Sequence, residues 1–182
     1  MSILQFKKFN PIQIPMKKTI LLILLMAASF VFSQTNTIQI INFSQFNIKF
    51  TLISNNSSVY GMDCVPVIFN EDPVTLLSGN SVTYSQHNLS QNVIPAITKW
   101  RVYSANGNDT TYDLLTGATV PLADYSLTSW ATIEMFTPAG EQVRLGRFCS
   151  PNATSGYYTL PSGYTINASW STLNGNVLVV IT

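Results

Sequence analysis

From Tyr164 to Ser171 the chain alternates without a break, with Tyr164, Ile166, Ala168 and Trp170 on one side and Thr165, Asn167, Ser169 and Ser171 on the other. A period of two sends successive side chains to opposite faces of an extended strand, so this segment reads as a strand with one dry and one wet face. The period recurs where Ile48, Phe50 and Leu52 alternate with Lys49, Thr51 and Ile53, and where Ala131, Ile133 and Met135 alternate with Thr132, Glu134 and Phe136. Val177 to Ile181 is apolar on both faces, which suits a central or doubly covered strand. No stretch beyond residue 37 carries a helical period.

Turn residues fall between these runs: Asn55-Asn56-Ser57-Ser58, Ser78-Gly79-Asn80, Asn106-Gly107-Asn108, Pro138-Ala139-Gly140 and Asn174-Gly175-Asn176. Asn-Gly pairs tolerate the positive φ angles of tight hairpins. Strands are therefore expected near 37–43, 47–54, 64–69, 81–85, 99–105, 110–115, 130–137, 141–148, 156–160, 164–171 and 176–181, with Gln86 to Ile97 as a long loop around Pro95. Short strands with turns every eight to twelve residues predict an all-β fold, a single-domain antiparallel β-sandwich of jelly-roll or Ig-like type.

That domain is read as residues 34–182, because residues 1–33 have the order of an export signal. Met16-Lys17-Lys18 precedes an apolar run from Ile20 to Phe32, and Val31 and Ser33 are the small residues before a cleavage point. The run is shorter than the roughly 20 residues a membrane-spanning helix needs, so no span is expected after cleavage. No Cys follows it to carry a lipid. Met16 is itself a complete signal start, so residues 1–15 are either a long charged region or an upstream start. In its brevity and paired lysines the segment resembles bacterial export signals, and the whole resembles small exported bacterial proteins; neither likeness carries site residues. The destination implied is secreted, periplasmic or cell-surface.

In residues 34–182 five basic side chains (Lys49, Lys99, Arg101, Arg144, Arg147) face eight acidic ones, while about a third of the positions are Ser, Thr or Asn. Nucleic-acid binding needs clustered Lys and Arg, and is excluded as an expectation. Cys64 and Cys149, an even count in an exported chain, predict one disulfide. A metal centre or nucleophilic Cys would need more His or Cys nearby, and His87 is the lone histidine.

A Ser-His-acid triad would have to use His87, which stands in Tyr84-Ser85-Gln86-His87-Asn88 without a nucleophile-elbow pattern, so a solvated loop histidine is expected. A glycosidase pair could draw on Glu71, Asp72, Glu134 and Glu141, yet Glu134 falls on a polar strand face and Glu141 after a turn. Asn106, Asn108, Asp109 and Asp113 offer oxygen ligands to calcium, without the EF-hand spacing; an Asn-Gly hairpin explains the same residues. The seven N-x-[ST] triplets, at Asn42, Asn55, Asn56, Asn88, Asn108, Asn152 and Asn167, follow from composition, and Asp109-Thr110-Thr111 resembles a short O-glycosylation acceptor. Val82 to Asn92 is too irregular for a membrane-inserting hairpin.

Sugar binding needs exposed aromatic platforms beside amide and carboxyl groups. Trp100, Tyr103, Trp130, Tyr157 and Tyr158 are the candidates; Trp170 belongs to the dry face of its strand. Tyr157 and Tyr158 are neighbours in a strand and must point to opposite faces. The expectation is a non-catalytic binding module for glycan or another cell-envelope component, with no cofactor unless calcium. The alternative is a structural or protein-interaction factor with no small-molecule site. A small hydrolase or pore former comes third. With so few charges, exposed sheet edges could also pair with another copy.

Overall fold

In the computed structural model, residues 36–59, 64–150 and 155–182 are described. The expected signal at 1–33 and the Asn152 triplet lie outside them. The strands, in chain order, are β1 (Ile38–Asn42), β2 (Ile48–Asn55), β3 (Val67–Asn70), β4 (Val74–Leu76), β5 (Ser81–Tyr84), β6 (Lys99–Tyr103), β7 (Asp109–Asp113), β8 (Ser129–Phe136), β9 (Gln142–Gly146), β10 (Gly156–Thr159), β11 (Thr165–Leu173) and β12 (Asn176–Ile181). The smaller sheet has the order β10-β11-β12-β1-β5, and the larger one the order β7-β6-β3-β2-β8-β9, with β4 also paired to β2. All neighbours are antiparallel except β1 and β12, which run parallel with Ile40 opposite Val179. The fold is the expected all-β sandwich, with one parallel pair that hairpin logic does not supply.

The alternation seen in the sequence builds the core directly. Ile38 and Ile40 of β1, Ile166, Ala168 and Trp170 of β11, and Val177, Val179 and Ile181 of β12 form the dry face of the smaller sheet. Against them lie Phe50 and Leu52 of β2, Ile68 of β3, Trp100 and Val102 of β6, Ile133 and Met135 of β8, and Val143 and Leu145 of β9. Burying a large apolar side chain is worth about 1.5–3 kcal/mol, so these residues carry most of the drive to fold.

The hairpins close as their residues require. Asn174 and Gly175 both have positive φ, 51° and 79°, the two-residue turn whose twist matches its strands. At Gly146, φ is 104° and an added Cβ would overlap the carbonyl oxygen of Ala131. Ala131 is the extra residue where β8 slips against β2 between Ile53 and Ser54, so only glycine fits opposite that bulge.

Two departures from expectation have physical causes. The sequence pattern missed β4, three residues too short to show a period, which pairs Ile48–Phe50 of β2 after β3 has paired Ile53–Asn55. Leu52 lies in the gap between those ladders. The side chain of Asn70 fills it: Oδ1 accepts the Leu52 N–H at 2.5 Å and Nδ2 donates to the Asp72 carbonyl at 2.8 Å. The second departure is the stretch Gln86–Ile97, which contains a 3-10 helix, His87–Asn92, instead of open loop. Asn70→Ala strands a buried N–H of β2, and denaturant unfolding is expected to show a loss of about 1–3 kcal/mol; a stability equal to wild type would show that the gap is sealed some other way.

Candidate functional site

The 3-10 helix is held from below. The indole N–H of Trp100 is shared between the His87 carbonyl and Ser90 Oγ, both at 2.9 Å, and Ser90 Oγ, with one proton to give, lies 2.7 Å from both the His87 and the Ile97 carbonyls. This anchoring turns the His87 ring inward. It lies 4.7 Å from the ring of Trp100 and 4.8 Å from that of Trp130, and Nε2 shares a 2.7 Å hydrogen bond with Ser54 Oγ. The expectation of a solvated loop histidine is thus corrected: His87 is buried. A lone polar residue among Asn, Ser and Gln gave no sign of this, because the signal sat 13 residues on, in the tryptophan that needed a partner for its N–H.

A serine beside a histidine invites a catalytic reading, and burial argues against it here. Ser54 is fully buried, so no substrate can reach its oxygen. Removal from water also pushes the His87 pKa down to about 3, leaving a neutral ring that packs instead of moving protons. The unfolded chain, with an ordinary value near 6.5, takes up a proton that the folded one refuses. Stability is therefore fully present above about pH 6.5 and falls as the pH drops, by up to about 1.4 kcal/mol per unit. The carboxylates with lowered values, Asp109 and Glu141, weaken the fold only further down, below their ordinary values near 4. Thermal unfolding between pH 6.5 and 4.5 is expected to isolate the histidine, with a steep loss in wild type and a flat response in His87→Gln. A flat wild-type curve would contradict a neutral, buried His87.

The five aromatic candidates separate. Trp100 and Trp130 are corrected from platforms to core: Trp100 is fully buried and Trp130 nearly so, its N–H donating to the Asn36 carbonyl at 2.7 Å. Facing sheets of five and seven strands need such large side chains to fill the gap between them. Tyr158, opposite Ile166, is half-buried and packs against the core, so it too is no platform. Tyr157, opposite Asn167, points outward and is 68% exposed. Tyr103 is exposed on the outer face of the other sheet.

The calcium candidates are not gathered to one point. Asn106 Oδ1 accepts the Asn108 N–H, closing the hairpin turn. Asp109 is held in a two-pronged ion pair by Arg101, whose hydrogen bonds keep its carboxyl below the usual range. Asp113 caps the next turn through the Leu115 N–H. The two aspartates stand at opposite ends of β7, about 13 Å apart at strand rise, and among the described residues no group of three or more His, Cys, Asp or Glu could share a metal. Three of the four glycosidase candidates have structural partners: Asp72 lies 3.8 Å from Lys99, Glu134 pairs with Arg144, and the Glu141 carboxylate accepts from Ser162 and Thr137, which lowers its pKa. Cys64 and Cys149 are joined in a disulfide, their Cα atoms 5.4 Å apart; such bonds persist in oxidising compartments. Among the described residues no helix is long and apolar enough to cross a membrane.

The distribution of charge singles out one surface. The five strands of the smaller sheet contain no Asp, Glu, Lys or Arg. The strand charges all lie on the larger sheet: Lys49, Lys99, Arg101, Asp109, Asp113, Glu134 and Arg144. On the outer side of the smaller sheet the register sets two rows across four strands, Ser169-Val180-Ile41-Ser81 and Ser171-Leu178-Gln39-Thr83. Each row spans about 14 Å at ordinary strand spacing. Val180, Ile41 and Leu178 occupy its middle beside the Gln39 amide, hydroxyl groups its margins, and Tyr157 with Asn167 flanks it on the β10 side.

Fold and surface together define a disulfide-bonded β-sandwich with one uncharged sheet face. The chain matches no family model, no curated protein and no solved structure.

Proposed function

We propose that this is an exported, non-catalytic binding module whose outer face on the smaller sheet takes a neutral glycan of the cell envelope or its surroundings. The observation that carries the reading is the segregation of charge: a whole sheet face without an ionised group, bearing an exposed tyrosine. Sugar rings have an apolar face and a rim of hydroxyl groups. They match a surface with Ile41, Leu178 and Val180 at its centre, Ser, Thr, Asn and Gln around them, and Tyr157 as a stacking ring. A charged polymer would find no counter-charge there and would lose solvation on contact. The export signal of the sequence and the disulfide support the secreted destination.

The test is binding of the oxidised protein to neutral polysaccharides, soluble and insoluble, beside anionic ones such as alginate. Saturable binding to a neutral glycan is expected, insensitive to salt between 50 and 500 mM because no ion pairs form. Tyr157→Ala should weaken it at least about tenfold, and Ser169→Glu, placing one carboxylate on the face, should abolish it. The reading fails when the wild type binds only anionic polymers, or when both variants bind as well as wild type. The alternative of a protein-interaction factor rests on the same flat face and is favoured by silence across the glycan panel.

A further inference from the structure

The outer face of the larger sheet holds a second, differently built surface. Ile53 of β2, Val65, Val67 and Phe69 along β3 and its lead-in, Tyr103 of β6 and Phe148 beyond β9 surround an open cavity of about 440 Å³. An outer sheet face is normally wet, so an apolar hollow there marks a contact site. Its volume falls in the range of small-molecule sites, not of flat protein interfaces.

Its walls specify the occupant. Phe69 and Tyr103 stack, ring centres 5.8 Å apart and planes 26° from parallel, and Tyr103 is 38% exposed. Phe148 supplies a third ring. Arg101 lies over the Tyr103 ring at 5.4 Å and Arg144 over the Phe148 ring at 5.3 Å, so both aromatic walls are backed by guanidinium groups. Each of these cations is already neutralised, Arg101 by Asp109 and Arg144 by Glu134. An anionic ligand therefore meets no free cation, and a cationic one no free carboxylate.

The hollow is also preformed. Val65 follows Cys64 and Phe148 precedes Cys149, so the disulfide ties two opposing walls together across the ends of β2 and β8. A wall fixed before binding loses little freedom when the ligand arrives.

We propose that this hollow is a binding site for a neutral, planar aromatic small molecule. The site is independent of the glycan face, which lies on the other sheet. The test uses two probes that share one ring system, neutral N-phenyl-1-naphthylamine and anionic 1-anilinonaphthalene-8-sulfonate, followed by fluorescence with the oxidised protein. The neutral probe is expected to bind once per chain, at least about tenfold more tightly than its sulfonate. Tyr103→Ser and Val67→Glu both change outward-facing groups that the core does not use, and each should weaken it at least about fivefold. Tyr157→Ala should leave it unchanged, whatever the glycan screen returns. The proposal is overturned when the two probes bind equally, when neither variant weakens the neutral probe, or when decanol displaces it at a lower concentration than 2-naphthol does.

Discussion

Everything in this fold depends on two apolar sheet faces finding each other. The inner residues of β1, β11 and β12 have no other way to leave water than by packing on Phe50, Leu52, Trp100, Ile133 and Met135 of the larger sheet. Once that contact is made, the outer faces are free to differ, because they contribute little to the drive to fold. The protein uses that freedom fully. One outer face carries every strand charge and an aromatic hollow; the other carries hydroxyl groups, amides, a few aliphatic side chains and one tyrosine.

The polar groups trapped between the sheets are what make the packing specific. Asn42 gives hydrogen bonds to the Phe46 and Leu76 carbonyls and receives them from Ser44, so a buried amide is fully employed in shaping the turn after β1. Asn70 seals the break between β3 and β4. His87, Ser54, Ser90 and Trp100 knit a 3-10 helix to the core. Each such group would be costly alone and is satisfied in one arrangement only, which discourages alternative packings.

How much of this could be read from the chain follows from the range of the interactions concerned. The period of two located β2, β8 and β11, and an unbroken apolar run located β12, because strand burial is a local rule, applied residue by residue. The Asn-Gly turns located the hairpins for the same reason, and the disulfide followed from compartment and count. What stayed hidden was long-range. Whether Trp100 is a platform or a core residue depends on a sheet partner, β3, and on a helix that exists because of that tryptophan. His87 looked solvated since its neighbours in sequence are polar, while its neighbours in space are Trp100, Trp130 and Ser54. The site surfaces were half legible: adjacency forced one of Tyr157 and Tyr158 outward, but which one required the register with β11. The absence of charge from the smaller sheet was present in the sequence throughout, and became a pattern only when five separated segments were assembled into one face.

The parallel pairing of β1 with β12 has a consequence for the order of events in the life of the chain. The contact between Thr37 and Asn176 spans 139 positions, and the strands it joins occupy the middle of the smaller sheet. β1 has no hairpin-range partner among the described residues; its neighbours are β5 and β12. Until residues 176–181 leave the ribosome, the sheet has no centre, and β11 has one edge bare. Closure of the smaller sheet thus waits on the pairing of β1 with β12. A truncation that removes β12 would therefore leave β1 and β11 each with an unpaired edge on the smaller sheet.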